Sequence, residues 1–99
     1  MRRLSTPQIA LRLETVPGWA RRGQTIYRVF AFDGFMDAVG FVNRVARRAE
    51  KDDHHPEIDI RWNKVSLGFT THSKGGLTEL DFEAAGHVSG IYSRFFASK

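Results

Sequence analysis

The 99-residue sequence contains no cysteine. That excludes a disulfide scaffold, a thiolate zinc site and a cysteine nucleophile, and it is compatible with a reducing compartment. No stretch approaches the about 20 consecutive apolar residues that cross a bilayer. Met1-Arg2-Arg3 has the basic character of a secretory leader, but Gln8, Arg12 and Glu14 interrupt the stretch after it, so no apolar leader core is expected. There are three prolines, no linker-like or low-complexity segment, and no phosphate-loop glycine motif. The length allows one modest core and not two, so residues 1–99 are expected to form a single domain. A soluble, cytoplasmic protein is the expectation.

What is present is ordinary in amount: 41% hydrophobic and 26% charged residues, as in soluble globular domains. The net charge is +4. A basic surface aids solubility or attracts anions and nucleic acid. Here the basic residues are dispersed over Arg2/Arg3, Arg21/Arg22 and Arg44/Arg47/Arg48/Lys51, and no nucleic-acid-binding signature accompanies them, so the solvated surface is favoured.

The pattern along the chain alternates helices and hairpins. Ser5-Thr6-Pro7 reads as a helix start, with Ile9, Leu11 and Leu13 on the helix and Pro17-Gly18 ending it. Trp19–Arg22 and Thr25–Phe32 read as paired strands about a Gly23-Gln24 turn. Asp33 is the expected cap of a long helix with Phe35, Val39, Val42, Val45/Ala46 and Ala49 at helical spacing. The arginines and Lys51 near its end suit the helix dipole. Ile58, Ile60 and Trp62 alternate with Asp59 and Arg61, which predicts a strand with one buried face. Asn63 turns the chain into a partner strand carrying Val65, Leu67 and Phe69. Thr78-x-x-Asp81 is a capping-box variant that opens a last helix with Leu80, Ala84, Val88, Ile91 and Phe95 as its stripe. The expected fold is therefore α+β, in the order αββαββα: a four-stranded antiparallel sheet with helices on one face.

One constellation stands apart. Glu50, His54, His55, Pro56, Trp62, His72 and Asp81 read E-x3-H-H-P-x5-W-x9-H-x8-D and hold three of the four histidines. Histidine exchanges protons near neutral pH, so the group points to acid–base chemistry. Pro56 favours extended backbone before it, which turns His54 and His55 to different sides. A polar connector would also account for these two. His72 sits between a strand end and Gly75-Gly76, a usual place for a site on a rigid frame and also for a solvent-exposed loop histidine. Glu50, one helical turn before His54, is either an imidazole partner or a surface carboxylate. Asp81 is read as the helix cap rather than a catalytic group. Trp62 is a core residue, a wall for a flat ring, or both. No H-x-x-x-H spacing is present, so no metal is expected. His87 falls outside the pattern.

The whole pattern resembles that of the pterin-4a-carbinolamine dehydratases, also called dimerisation cofactor proteins. The resemblance includes Phe30-x-Phe32, Val45-Ala46-x-x-Ala49-Glu50, His54-His55-Pro56-Glu57, Asn63-Lys64-Val65, Thr71-His72 and Gly75-Gly76-Leu77-Thr78. Ser73 stands where members often carry aspartate, Trp62 where tyrosine is common, and Gly68 interrupts a usually apolar strand. The αββαββα order is also the family's fold.

The resemblance implies dehydration of 4a-hydroxytetrahydropterin to quinonoid dihydropterin, without metal, nucleotide or redox cofactor. That reaction restores the cofactor used by aromatic amino-acid hydroxylases. His54, His55 and His72 are the expected catalytic residues, with Glu50 in support. Trp62 and Thr71 are expected to meet the substrate, while Pro56, Thr78 and Asp81 are structural. A homodimer or homotetramer is expected. The family's second name opens another reading, a protein-binding regulatory module that acts without catalysis. Retention of all three histidines favours the enzyme.

Overall fold

In a computed structural model, which describes residues 1–96, the chain runs α1 (Thr6–Leu13), β1 (Ala20–Arg22), β2 (Thr25–Ala31), α2 (Phe35–Asp52), β3 (Glu57–Arg61), β4 (Lys64–Phe69) and α3 (Glu79–Phe95). A single 3-10 turn, His72–Lys74, separates β4 from α3. All strand pairs are antiparallel, in the order β1-β2-β4-β3. The architecture is the expected α+β sheet with helices against one face.

Alternation along the strands sorts the residues. Ile26 and Phe30 of β2 and Val65, Leu67 and Phe69 of β4 lie on the helix side and are almost wholly buried. They meet Ile9 of α1, Phe41 and Val45 of α2, and Ala85 and Val88 of α3 in one core cluster. Phe30 sits at its centre, with ring centroids 4.8 Å from Phe41 and 4.9 Å from Tyr92. Arg12 of α1 grips Glu79 of α3 through two hydrogen bonds of 2.7 and 3.1 Å, which fastens the short first helix to the last.

Several sequence expectations shift in detail. The first helix ends at Leu13, not at Pro17-Gly18, and Trp19 is a core residue ahead of β1 rather than part of it. Gly34, not Asp33, occupies the cap position of α2, without a side-chain hydrogen bond. The buried positions of α2 are Ala38, Phe41, Val45 and Ala49, so Phe35 is left half exposed. The helix begins after Gly34, and its inward face is set by the bulky Phe41. On α3 the buried set is Asp81, Phe82, Ala84, Ala85 and Val88. The largest difference concerns β3. Ile58 and Ile60 do face the helix side, opposite Leu67 and Val65, but β3 is the sheet edge and the helices cover it only in part. Both isoleucines stay exposed, at 41% and 37%. Trp62 is not a strand residue at all. It has φ of 51° in the β3–β4 turn and is 69% exposed.

The open face carries one close fit. Tyr27, Gly68 and Glu57 lie side by side across β2, β4 and β3. The Tyr27 hydroxyl donates to Glu57 Oε1 at 3.0 Å. A Cβ on Gly68 would stand 2.5 Å from the Tyr27 ring, so the strand glycine makes room for the aromatic. Gly68→Ala is expected to lower stability by about 1–3 kcal/mol through that overlap. Adding Tyr27→Ala to it should cost less than the two single changes summed. Urea unfolding of the four proteins measures the coupling.

Candidate active site

The end of α2 delivers the two adjacent histidines. Asp53 takes the left-handed conformation (φ 51°, ψ 43°) usual just past a helix end. The His54 N–H then bonds back to the Ala49 carbonyl at 3.1 Å. This reversal tucks His54 under the helix layer. Its ring stacks on Phe69 with centroids 5.8 Å apart and planes 13° off parallel.

His54 Nε2 lies 2.6 Å from Asp81 Oδ1. The two side chains are 10% and 0% exposed. Asp81 Oδ2 accepts from the Thr71 hydroxyl at 2.8 Å and from the Thr78 N–H at 2.9 Å. The Thr71 and Thr78 hydroxyls are 2.8 Å apart, and Thr78 Oγ1 accepts from the Leu80 N–H at 3.2 Å. Each hydroxyl has one proton, so the order is fixed: Thr78 donates to Thr71, and Thr71 donates to Asp81. Two donors already meet Asp81 Oδ2, and an ionised carboxylate only accepts, so His54 presents Nε2–H to Oδ1. That leaves Nδ1 of His54 as the proton-accepting nitrogen. Among the described residues Nδ1 makes no hydrogen bond and no buried polar side-chain atom lacks a partner, so Nδ1 keeps contact with solvent.

The other groups are more open. His55 Nε2 meets Glu50 Oε2 at 2.5 Å, with side chains 53% and 78% exposed. His72 begins the 3-10 turn and is exposed. The turn is clamped by reciprocal Thr71–Gly76 backbone hydrogen bonds of 3.1 and 3.4 Å, with Gly75 at φ 67°. His72 therefore follows directly on Thr71, which touches Asp81. Pro56 leads into β3. His87 lies elsewhere, between α2 and α3, where Arg48 bridges it to Asp52. The hydrogen bond from Arg48 holds the Asp52 carboxyl below its ordinary range.

The spacing left open which imidazole Glu50 would meet. Glu50 holds His55, whereas His54 is held by Asp81. The cap reading of Thr78-x-x-Asp81 matches the structure, for both halves of the capping box are formed. The second use of Asp81 had no signal in the spacing. Thr71, expected at the substrate, is buried and turned towards Asp81. Trp62 is not brought to the histidines within one chain. The six steps along β3 from Pro56 to Trp62, rising about 3.3 Å each, set it roughly 20 Å from Pro56.

The chain alone forms a wall here and not an enclosed pocket. Behind His54, the residues Val45, Ala49, Phe69, Ala84 and Val88 close round a space of about 10 Å³. That is room for one water at most, whereas small-ligand sites commonly measure about 300–1,000 Å³. A hollow of about 370 Å³ does exist between α2 and α3, lined by Arg48, His87, Ile91, Arg94 and Phe95, away from the His54–Asp81 pair. Among the described residues, no three histidine or acidic side chains are grouped to hold a metal ion. No helix among them is long and apolar enough to cross a membrane.

Known proteins resemble this chain in sequence and in fold. Residues 2–91 match the family described as pterin 4 alpha carbinolamine dehydratase. A Thermomicrobium roseum protein, named provisionally as a pterin-4-alpha-carbinolamine dehydratase, is 45% identical over 94% of this chain and its own full length. One from a Roseiflexus strain, named in the same way, is 47% identical over 90% of this chain and 96% of its own. A crystal structure from Brucella melitensis, described as a transcriptional coactivator/pterin dehydratase, superposes with a TM-score of 0.88 at 37% identity, over 91% of this chain and 98% of that one. A pterin dehydratase-like RuBisCO assembly factor of the alpha-carboxysome shares the fold, with a TM-score of 0.62 at 19% identity over 74% and 84% of the two chains. The extent of the match, from the first helix to the last, makes this chain a member of the pterin-4-alpha-carbinolamine dehydratase family, a family of lyases.

Proposed function

We propose that the protein removes water from 4a-hydroxytetrahydropterin to give quinonoid dihydropterin, and that it works in the cytoplasm to restore the tetrahydropterin used by aromatic amino-acid hydroxylases. The observation that carries the reading is the His54–Asp81 pair: an imidazole fixed in one orientation by a buried carboxylate, with its other nitrogen open. Family membership supplies the substrate class.

The reaction breaks the C4a–O bond and forms C4a=N5. His54 Nδ1 takes the N5 proton, and Asp81 across the ring stabilises the imidazolium that results, as a carboxylate does in other His–Asp pairs. His72, on the clamped turn beside Thr71, delivers the proton with which the hydroxyl leaves as water. Solvent then returns both histidines to their starting states, and no electron is gained or lost. His55, held by Glu50, orients the pterin. A binding module of this fold would need Asp81 only to cap α3 and tie the fold together, and would have no use for the open nitrogen left on His54. The enzyme reading uses it.

General acid–base groups typically contribute ~10²–10⁴-fold. His72→Ala is expected to slow dehydration by about that factor, with an unchanged circular dichroism spectrum. Absorbance of the quinonoid product gives the rate, and an undiminished rate would remove His72 from the mechanism. Asp81→Asn should also depress the rate by about 10²-fold or more and lower stability by about 1–3 kcal/mol, since an amide cannot accept at both positions. Glu50→Gln, at an exposed pair, should change stability by less than about 1 kcal/mol. Comparing thermal unfolding of the two variants separates the buried carboxylate from the surface one.

A further inference from the structure

We propose that the amino-terminal segment is a strap that fixes the His72 turn, with Arg3 as a positioning residue that acts on the reaction through His72. The inference rests on the proposed function, in which His72 protonates the leaving hydroxyl.

A general acid has to be held in place, since a displacement of about 1 Å can cost about 10²-fold in rate. His72 has little of its own to hold it. It is exposed on a three-residue 3-10 turn, and its side chain makes no hydrogen bond among the described residues. Within the turn, Lys74 N–H bonds the Thr71 carbonyl at 3.0 Å and Gly75 N–H bonds the His72 carbonyl at 3.1 Å. Together with the Thr71–Gly76 pair, these bonds give the turn its shape. They do not tie it to anything on its outer flank.

The amino terminus does. Leu4 N–H bonds the Leu77 carbonyl at 2.8 Å, and the Leu4 side chain packs against the core. Arg3 Nη1 donates to the Gly75 carbonyl at 3.3 Å. Ahead of the turn, the Thr70 hydroxyl donates to the Gln24 carbonyl at 2.5 Å. The fit is close, for a Cβ on Gly76 would stand 2.6 Å from Arg3 Cδ and 2.8 Å from Gln24 Oε1. The Arg3 stem and the Gln24 side chain therefore lie directly on the Gly76 backbone, which a residue without a side chain permits. The strap is short and firmly rooted. Ser5 follows it at once and closes a capping box with Gln8, and Arg12 of the same helix is bonded to Glu79. A single exposed hydrogen bond adds little to the stability of the whole fold, so what Arg3 controls is local: how often the turn opens.

Kinetics of the full chain test the role. Arg3→Ala is expected to lower kcat about tenfold or more with KM and melting temperature little changed, because a group that matters only in the transition state has been displaced. Arg3→Lys keeps a stem and a donor and should recover most of that loss. In a His72→Ala background, Arg3→Ala should leave the residual rate unchanged, since Arg3 then has no acid to position. Wild-type kcat in Arg3→Ala overturns the role, and so does an equal loss in the His72→Ala background. Amide hydrogen exchange reads the strap without substrate. The Lys74 and Gly75 amides should exchange at least about tenfold faster in Arg3→Ala, while those of Val65 and Leu67 keep their rates. Unchanged exchange at Lys74 and Gly75 overturns the strap, whatever the activity. Wild-type protein that fails to dehydrate the pterin overturns the proposed function and the part of Arg3 in it, while exchange still decides the strap.

Discussion

The buried Asp81 carboxylate is the constraint on which the rest of the structure depends. Placing such a charge out of water costs several kcal/mol unless its oxygens are matched by donors. Three separate parts of the fold supply them. Thr78 opens α3, Thr71 ends the segment after β4, and His54 follows α2. Hydrogen bonds to a charged group are each worth about 1.5–3 kcal/mol, so the carboxylate is satisfied only when all three parts are in place. One side chain thus ties a helix start, a strand end and a helix end together, and the same arrangement fixes the orientation of the His54 imidazole.

The surrounding core makes that arrangement rigid. Phe69 supplies a flat floor for His54 at the end of β4, and Val45, Ala49, Ala84 and Val88 fill the space behind it. Little room remains for the ring to turn. On its outer side the cluster is open, with His55, Glu50 and His72 exposed to solvent. An imidazole held from behind and approached from the front suits a flat substrate that lies against the surface.

Much of this was legible in the sequence, and the exceptions have physical causes. Alternation in Val65, Leu67 and Phe69 gave the buried strand, and Thr78-x-x-Asp81 gave the helix start, because both depend on local backbone geometry. Alternation in Ile58 and Ile60 gave the right face of β3 but could not say that the strand lay at the edge, since strand order is a tertiary property. The α2 stripe was misphased by its aromatic first residue: Phe35 looked like a core position, whereas Phe41 determines the inward face. The most consequential exception is Asp81. A carboxylate has two oxygens, and the capping motif accounted for only one of them. The other reaches back 27 residues to His54, a contact that only the closed fold creates. Glu50, the nearer carboxylate in sequence, was diverted to His55 because the left-handed turn at Asp53 swings His54 away beneath the helix.

The central claim is that Asp81 fixes His54 with Nε2 protonated and Nδ1 free to take a proton. Long-range ¹⁵N–¹H NMR of the histidine side chains, assigned with a His54→Gln variant, reads this directly. In the neutral form His54 should be a single tautomer carrying its proton on Nε2, while exposed His72 shows the averaged signal of a freely exchanging imidazole. A His54 protonated on Nδ1, or averaged like His72, would contradict the account.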